Sequence, residues 1–429
     1  MRKKLLLMVV CTFMVLNCCA CDKNEPVKKT KDEVTELNPF KSVTDDLLVA
    51  REGGECTALY YYDYDRNGYL YACGRKNCSH NIEEYQNGII QCDAIIDGAT
   101  YYPFVYNDRT FYFVEGDEGY SLWSSKQDGT DKKKKADLNF TLNTESKGVR
   151  CQDKVYVSSR EEVYEEVEEG QEEQVGGAAE VYEIDLSKGS VKQLTNLGTY
   201  ADANCEDIHF YDGKLIISYF CREKTYAEAG FDNVAKYIEW AQSEKFSHQE
   251  NVKRIGLRKK KYVYDLKTKK LKPFDIGFEC QFEEYKGLEC MDGSYVILGF
   301  DKDTVVYLEP LAGDYTVYSY NMKTKERKEI FSSFMNMETL NDGIVYITSM
   351  EMDEATKKER EPRVDLKQPP KYYSYNLETG ELNEDHYGEE GKVFYAIDRN
   401  EKGLLVNETA FDENYESYDE HDIREINIK

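Results

Sequence analysis

HFYDGKLIIS, residues 209 to 218, consists of two short alternating apolar runs joined by Asp212-Gly213. Asp-Gly in that position is a β-hairpin signal, because both central residues of a type I′ turn must reach positive φ. The unit recurs as VYNDRTFYFV (105–114), RCQDKVYVSS (150–159), CMDGSYVILG (290–299) and LNDGIVYITS (340–349). Its turns are expected at Asp108, Gln152, Asp212, Asp292 and Asp342, with a sixth near Asn400 in FYAIDRNEKGLLVNE.

A second unit follows each of these: LWSSKQDGTDKKK (122–134), VYEIDLSKGSVK (181–192), YVYDLKTKKLK (262–272), YSYNMKTKERK (318–328) and YSYNLETGELN (373–383). These also read as strand, polar turn, strand, with a longer loop. Alternating inner and outer hairpins make one four-stranded antiparallel sheet per repeat, which is the blade of a β-propeller. The fold class expected is all-β, a β-propeller of six or seven blades with one helical insertion at 222–258. An antiparallel sandwich is the alternative. Ring closure is expected to bring LYYYDYDRNGYLYA (59–72) beside IREINIK (423–429).

Composition agrees with many half-buried strands: 36 Tyr against 2 Trp, and only 8 Pro in 429 residues. Aromatic and β-branched residues favour a pleated, partly buried surface. The formal charge of -26 argues against nucleic acid, since phosphate contacts need clustered cations.

The chain opens Met1-Arg2-Lys3-Lys4, continues with an apolar stretch from Leu5 to Leu16, and reaches Cys18-Cys19-Ala20-Cys21. A basic start, a short apolar run and a small residue before cysteine describe an export signal, too short for a stable span. Cysteine at that point resembles the lipobox of bacterial lipoproteins, and the resemblance implies 1–20 as signal peptide and Cys21 as the lipid-bearing residue, with Cys19 as the alternative. Residues 21–44 are polar and charged and read as a flexible tether, so that the propeller spans 45–429.

Two site readings meet in YYYDYDRNGYLYACGRKNCSH (60–80). Asp63-x-Asp65-x-Asn67-Gly68 has the look of a calcium loop, but the twelfth position, where a bidentate carboxylate belongs, is Gly74. Asp63 instead aligns with Asp265, Asn321 and Asn376 of the outer hairpins, where a short Asx side chain bonds its own turn. Cys73-x4-Cys78-x-His80 and Cys92 have no counterpart in other repeats. Three thiolates and an imidazole suit tetrahedral zinc, whereas cysteines of an exported chain also pair as disulfides, so either cross-link serves at 73–92.

Three insertions interrupt the repeat. EEVYEEVEEGQEEQVGG (161–177) is a like-charge run expected to be solvated and mobile. FDNVAKYIEWAQSEKF (231–246) places Phe231, Val234, Ile238 and Ala241 at helical spacing. Residues 353–370 form a charged loop ended by prolines.

The words Asp265-Leu266-Lys267-Thr268-Lys269-Lys270 and Gln127-Asp128-Gly129-Thr130-Asp131-Lys132-Lys133-Lys134 resemble the outer-hairpin motifs of TolB-like propellers. Taken with the lipoprotein signal and the cysteine-rich segment, the mature chain resembles uncharacterised propeller lipoproteins of Gram-positive anaerobic bacteria. That resemblance implies fold and location and carries no activity with it. There is no Gly-x-Ser-x-Gly elbow, no His-Glu-x-x-His and no phosphate-cradling glycine loop. The functional expectation is a lipid-anchored extracytoplasmic module, without catalysis, that binds a peptide, a glycan or an envelope protein. The alternative is a propeller hydrolase or lyase acting on polysaccharide or cell-wall fragments.

Overall fold

The computed structural model describes residues 34–39, 41–43, 47–52, 55–63, 68–168, 171–243, 248–274, 295–311, 314–333, 335–341, 343–353, 365, 368–385, 392–399, 404–411 and 417–426. Residues Thr35–Lys429 form one compact unit.

Eight sheets form along the described chain; seven follow one another as blades, and the eighth joins Glu161–Glu168, Gln171–Ala178 and Thr199–Tyr200. Blade 1 holds Lys41–Val43, Leu47–Glu52, Cys56–Asp63 and Gly68–Tyr71, and blade 2 begins at Thr100–Tyr106 and ends at Lys133–Asp137. Blades 3 to 6 begin at Gly148, Asp202, Val296 and Met335. Blade 7 holds Lys392–Arg399, Leu404–Phe411 and Ser417–Ile426. The first strand of each blade is innermost: those of blades 1 and 2, 3 and 4, 4 and 5, 5 and 6, and 6 and 7 lie against one another. Between blades the sheet faces fill with apolar side chains. Phe104, Phe113 and Leu122 of blade 2 pack on Val155, Val157 and Ile184 of blade 3, and Val149 and Val181 pack on Ile208, Leu215 and Ile217 of blade 4. The architecture is the propeller, not the sandwich.

The hairpin signals hold at most of their positions. Tyr106 pairs with Arg109, Cys151 with Lys154 and Tyr211 with Lys214. Asn107, Asp108, Gln152, Asp212 and Gly213 take positive φ. Asn341 pairs with Ile344 around the turn expected at Asp342, and Arg399 pairs with Leu404 around the turn near Asn400; Asp342 and Asn400 themselves are outside the described residues.

Blade 5 departs from expectation. Asp292 lies outside the described residues, and Val296–Asp301, read as the second strand of its hairpin, is the first strand of the blade. The inner turn is Lys302-Asp303, with Lys302 at φ 49° and Asp301 paired to Thr304. A lysine in the left-handed region carries no sequence signal comparable to Asp-Gly.

The outer hairpins explain why their words repeat. In blades 3 to 6 the turn starts at Asp185, Asp265, Asn321 or Asn376, whose Oδ1 accepts backbone N–H bonds from two or three residues on. The fifth residue, Gly189, Lys269, Lys325 or Gly380, takes positive φ and donates its N–H to the Asx carbonyl. The apolar residue after the Asx then donates to the inner turn: Leu186 to Asp153, Leu266 to Gly213, Met322 to Asp303 and Leu377 to Gly343. Inner and outer turns are therefore tied together on one face. All connections between second and third strands emerge on the opposite face.

That opposite face carries the insertions. The acidic run forms a hairpin, Glu161–Glu168 paired with Gln171–Ala178, whose described glutamates are exposed, as the like-charge run implies. The helical insertion is two helices, Val234–Ala241 and His248–Ile255, separated by residues 244–247. Asn233 caps the first by accepting from the Lys236 N–H, which leaves Phe231 outside the helix as the platform on which it rests. Tyr237 and Trp240 face Phe231, while Ile238, expected on the buried face, is 46% exposed.

Two further expectations are corrected. The stretch read as tether contains Val34–Leu37, which adds to the inner edge of blade 3, and Lys41–Val43, the first strand of blade 1. Leu37 is fully buried among Tyr102, Phe104 and Val157, which is why four residues suffice to hold a strand there. Among the described residues, the last strand pairs only with Leu404–Phe411 and the outer strand of blade 1 only with Cys56–Asp63. Among the described residues, no strand is shared between the termini.

Thr35–Pro39 occupies the propeller axis. The Thr35 hydroxyl accepts from Arg150 Nη2 of blade 3 at 2.7 Å. Glu36 Oε1 lies 3.2 Å from His209 Nδ1 of blade 4 and 3.6 Å from the point where a Cβ on Gly299 of blade 5 would stand. The Pro39 carbonyl accepts from the Tyr102 N–H of blade 2. A five-residue segment that touches the first strands of four blades can only sit at their common centre.

Candidate metal centre

Blade 1 has a split outer strand. Gly68–Tyr71 pairs on Tyr60–Asp63, and Ile95–Asp97 pairs on Cys56–Ala58 of the same strand. Between them Leu59 accepts from the Ala72 N–H and donates to the Ala94 carbonyl. Residues 73–93 are thus an excursion whose two ends meet one residue apart on a continuous edge. Closing a loop of that length costs entropy unless something ties its neck.

Cys73, Cys78, His80 and Cys92 supply the tie. Their donor atoms all lie within 4.8 Å of one another, and His80 Nδ1 is 3.4 Å from Cys92 Sγ. A tetrahedral site with metal–sulfur bonds of about 2.3 Å and metal–nitrogen bonds of about 2.0 Å has edges of roughly 3.5–3.8 Å. The donors stand at those edges or within about 1 Å of them. Cys73 and Cys92 come from the two ends of the neck, and Cys78 and His80 reach it because Asn77 and His80 adopt left-handed backbone, with φ of 58° and 55°. His80 stacks on Tyr71 at 4.3 Å, and Asn81 then caps the short helix Ile82–Gln86. The sequence singled out the four donors that the structure brings together. It could not show that the loop interrupts a strand.

The surroundings suit an anionic centre. Three thiolates with one neutral imidazole around a divalent ion carry a net charge of about -1. Arg75, paired with Asp93 at 2.9 Å, stands beside Cys73 and Cys78. Burial raises the Cys73 thiol, but N–H donors of Arg75 and Asp93 outweigh it and hold the group below its ordinary value. Burial pushes Cys92 up to about 12, and it holds the His80 imidazole below its usual range, in the neutral form that ligates. The three cysteines are free thiols in this structure, and Cys56, Cys205 and Cys221 are buried as core. Cys290 lies outside the described residues.

The loop is also clamped from outside. Gly74 donates its N–H to the Asp128 carbonyl in the outer turn of blade 2. Gly129, at φ 75°, lies so close that a Cβ there would stand 2.3 Å from the Ala72 carbonyl oxygen and 2.4 Å from that of Asp93. Lys132 donates to the Ile95 carbonyl at 2.7 Å. The metal loop therefore joins blades 1 and 2.

At Asp63 the structure has a hairpin: Asp63 pairs with Gly68 in the antiparallel ladder. Residues 64–67, with Asp65 and Asn67 of the calcium reading, are outside the described residues, as are both lipidation candidates, Cys19 and Cys21. His209, buried in the first strand of blade 4, is a further titratable group that no local motif points to. Its partner, Glu36, is 173 residues away.

No protein-family model and no curated protein matches the sequence. Among solved structures, the β-propeller domain of the Trilobed protease from Pyrococcus furiosus, described as having an open velcro topology, is 9% identical with a TM-score of 0.44, covering 91% of this chain and 98% of that one. Oligogalacturonate lyase from Vibrio parahaemolyticus is 10% identical with a TM-score of 0.44, over 89% and 92%. TolB from Acinetobacter baumannii is 13% identical with a TM-score of 0.31, over 88% and 80%.

Proposed function

We propose that this protein is an extracytoplasmic lipoprotein, anchored through Cys21, whose propeller binds a peptide, a glycan or another envelope protein and performs no catalysis. One observation carries the reading: the second-to-third-strand connections gather the acidic hairpin and both helices on a single face, while Thr35–Pro39 fills the axis. Loops displayed by a rigid scaffold are where binding residues concentrate. The basic start, the apolar run Leu5–Leu16 and Ala20-Cys21 support export and anchoring. Cys73, Cys78, His80 and Cys92 hold a structural zinc with four protein ligands, which closes the centre to substrate.

The test is a glycan and peptide array probed with residues 22–429. A fragment starting at Asp45 would lack the axial strand and the first strand of blade 1. Reproducible ligands, lost when residues 161–178 are replaced by a short turn, support binding on this face. Turnover of polysaccharide or cell-wall fragments by the same preparation supports the hydrolase or lyase instead. Metabolic labelling with an alkynyl palmitate tests the anchor, and a mature protein without label refutes it.

A further inference from the structure

The axial strand fixes which way the propeller faces. Thr35 is bonded to Arg150, beside the inner turn of blade 3, and Leu37 lies 3.8 Å from the Cβ position of Gly148 at the start of the same strand. The strand therefore runs antiparallel to Gly148–Cys151: it enters at the face of short turns and leaves toward the face of insertions. The first residue of the strand, Val34, thus lies on the side of the short turns. From Cys21 to Val34 the chain counts thirteen residues, which reach at most about 45 Å and, as a flexible coil, span on the order of 20 Å.

The face of short turns carries charge of both signs: exposed Lys188, Lys267, Lys269 and Lys325 at the outer turns of blades 3 to 5 stand among exposed Asp212, Glu326 and Glu378. The aspartates that lead the outer turns are partly engaged at home: Asp265 accepts from the Thr268 N–H, and Asp185 is buried and accepts from Lys154. The opposite face carries Glu161, Glu162, Glu165 and Glu166, all exposed. The intervening residues 22–33 hold four lysines and four acids, and so add no net charge of their own. Lysines within a Debye length of an anionic bilayer are attracted to it, and carboxylates are repelled.

We propose that the face of short turns is the surface this protein lays against an anionic lipid membrane, with the insertion face presented outward. The inference rests on lipid anchoring through Cys21 and deepens it by naming the docked surface. It follows that a partner reaches the acidic hairpin and the helices without passing the membrane.

Lysine footprinting of the full-length lipidated protein tests this, in vesicles of phosphatidylglycerol and phosphatidylcholine and in detergent. Co-flotation of protein with vesicles reports anchoring separately. With phosphatidylglycerol at low salt, Lys267, Lys269 and Lys325 are expected to acetylate at least about fivefold more slowly than in detergent, while Lys236 on the first helix of the insertion is unchanged. The triple variant Lys267→Glu, Lys269→Glu, Lys325→Glu should still float, and the protection of Lys188 should disappear. Floating protein whose turn lysines react as in detergent, or whose Lys236 is the shielded one, overturns the orientation and leaves the anchor standing. Protein that does not float overturns both.

Discussion

Glu36 Oε1 and His209 Nδ1 are 3.2 Å apart at the propeller axis, joining the N-terminal strand to blade 4 across 173 residues. Glu36 is 47% exposed while His209 is 1% exposed, so the pair stands at the boundary between the packed blades and the solvent inside the ring. Burial raises the Glu36 carboxyl, but the hydrogen bond and charge of His209, with Lys147, hold it below the usual 4.5.

A depressed carboxyl stabilises the fold above its unfolded value and loses that contribution as pH falls through the folded value. Glu36→Gln is therefore expected to cost about 1 kcal/mol near pH 6, a charged hydrogen bond discounted for partial exposure. The deficit should shrink below about pH 4.5. Urea titrations of both proteins at pH 6 and pH 3.5 measure it, and a deficit that grows in acid would contradict the assignment.

Removing the metal should loosen the neck of 73–93 without unfolding the propeller. A cross-link closing a loop of about 20 residues contributes roughly 3 kcal/mol, so chelation, or Cys92→Ser, should release local hydrogen-exchange protection of that size at Ala72 and Leu59. Elemental analysis should give one zinc per chain, falling to none in Cys92→Ser. A stable Cys73–Cys78 disulfide in protein kept free of metal would refute the site.

Gly129→Ala should be among the more damaging single substitutions. It forces a Cβ against two carbonyl oxygens at 2.3 and 2.4 Å and strains a backbone at φ 75°. We expect a loss of more than about 2 kcal/mol and weaker zinc retention, because Ala72 and Asp93 flank the neck. Unchanged metal affinity in a folded variant would detach blade 2 from the site.

The outer turns predict an asymmetric pair of substitutions. Asn321→Ala removes the acceptor for the Lys323 and Thr324 N–H groups and should cost about 1 kcal/mol. Asn321→Asp should be nearly neutral, since Asp185 and Asp265 fill the equivalent place in other blades. Chemical denaturation of both variants gives the comparison.

In the acidic hairpin Glu165 stands opposite Glu173 and Glu166 opposite Glu172. Like charges directly across a ladder destabilise it, and salt screens them. Hydrogen exchange in Glu161–Ala178 should slow between about 20 mM and 500 mM salt, with the anchoring bond from Arg222 to the Gln174 carbonyl unaffected.

The amino-acid sequence by itself determined whatever depends on neighbours along the chain. Asp-Gly turns, Asx-led outer turns and alternating strands are local, so the repeat and the blade could be read from words such as YDG and YDLKTK. Cys73, Cys78, His80 and Cys92 were legible as a candidate donor set because donor chemistry and spacing are properties of the segment.

What only the tertiary structure decided depends on which distant segments meet. Val34–Leu37 looks like polar tether because a four-residue strand has too little periodicity to show. It is a strand because seven blades leave an inner edge at the axis with Arg150 and His209 facing it. The helix around Ile238 turned its other side inward because Phe231, outside the helix, supplied the packing surface. Direction is likewise a property of the assembled ring: the route of one short strand through its centre sets the side on which Val34 lies, and no local pattern encodes that route.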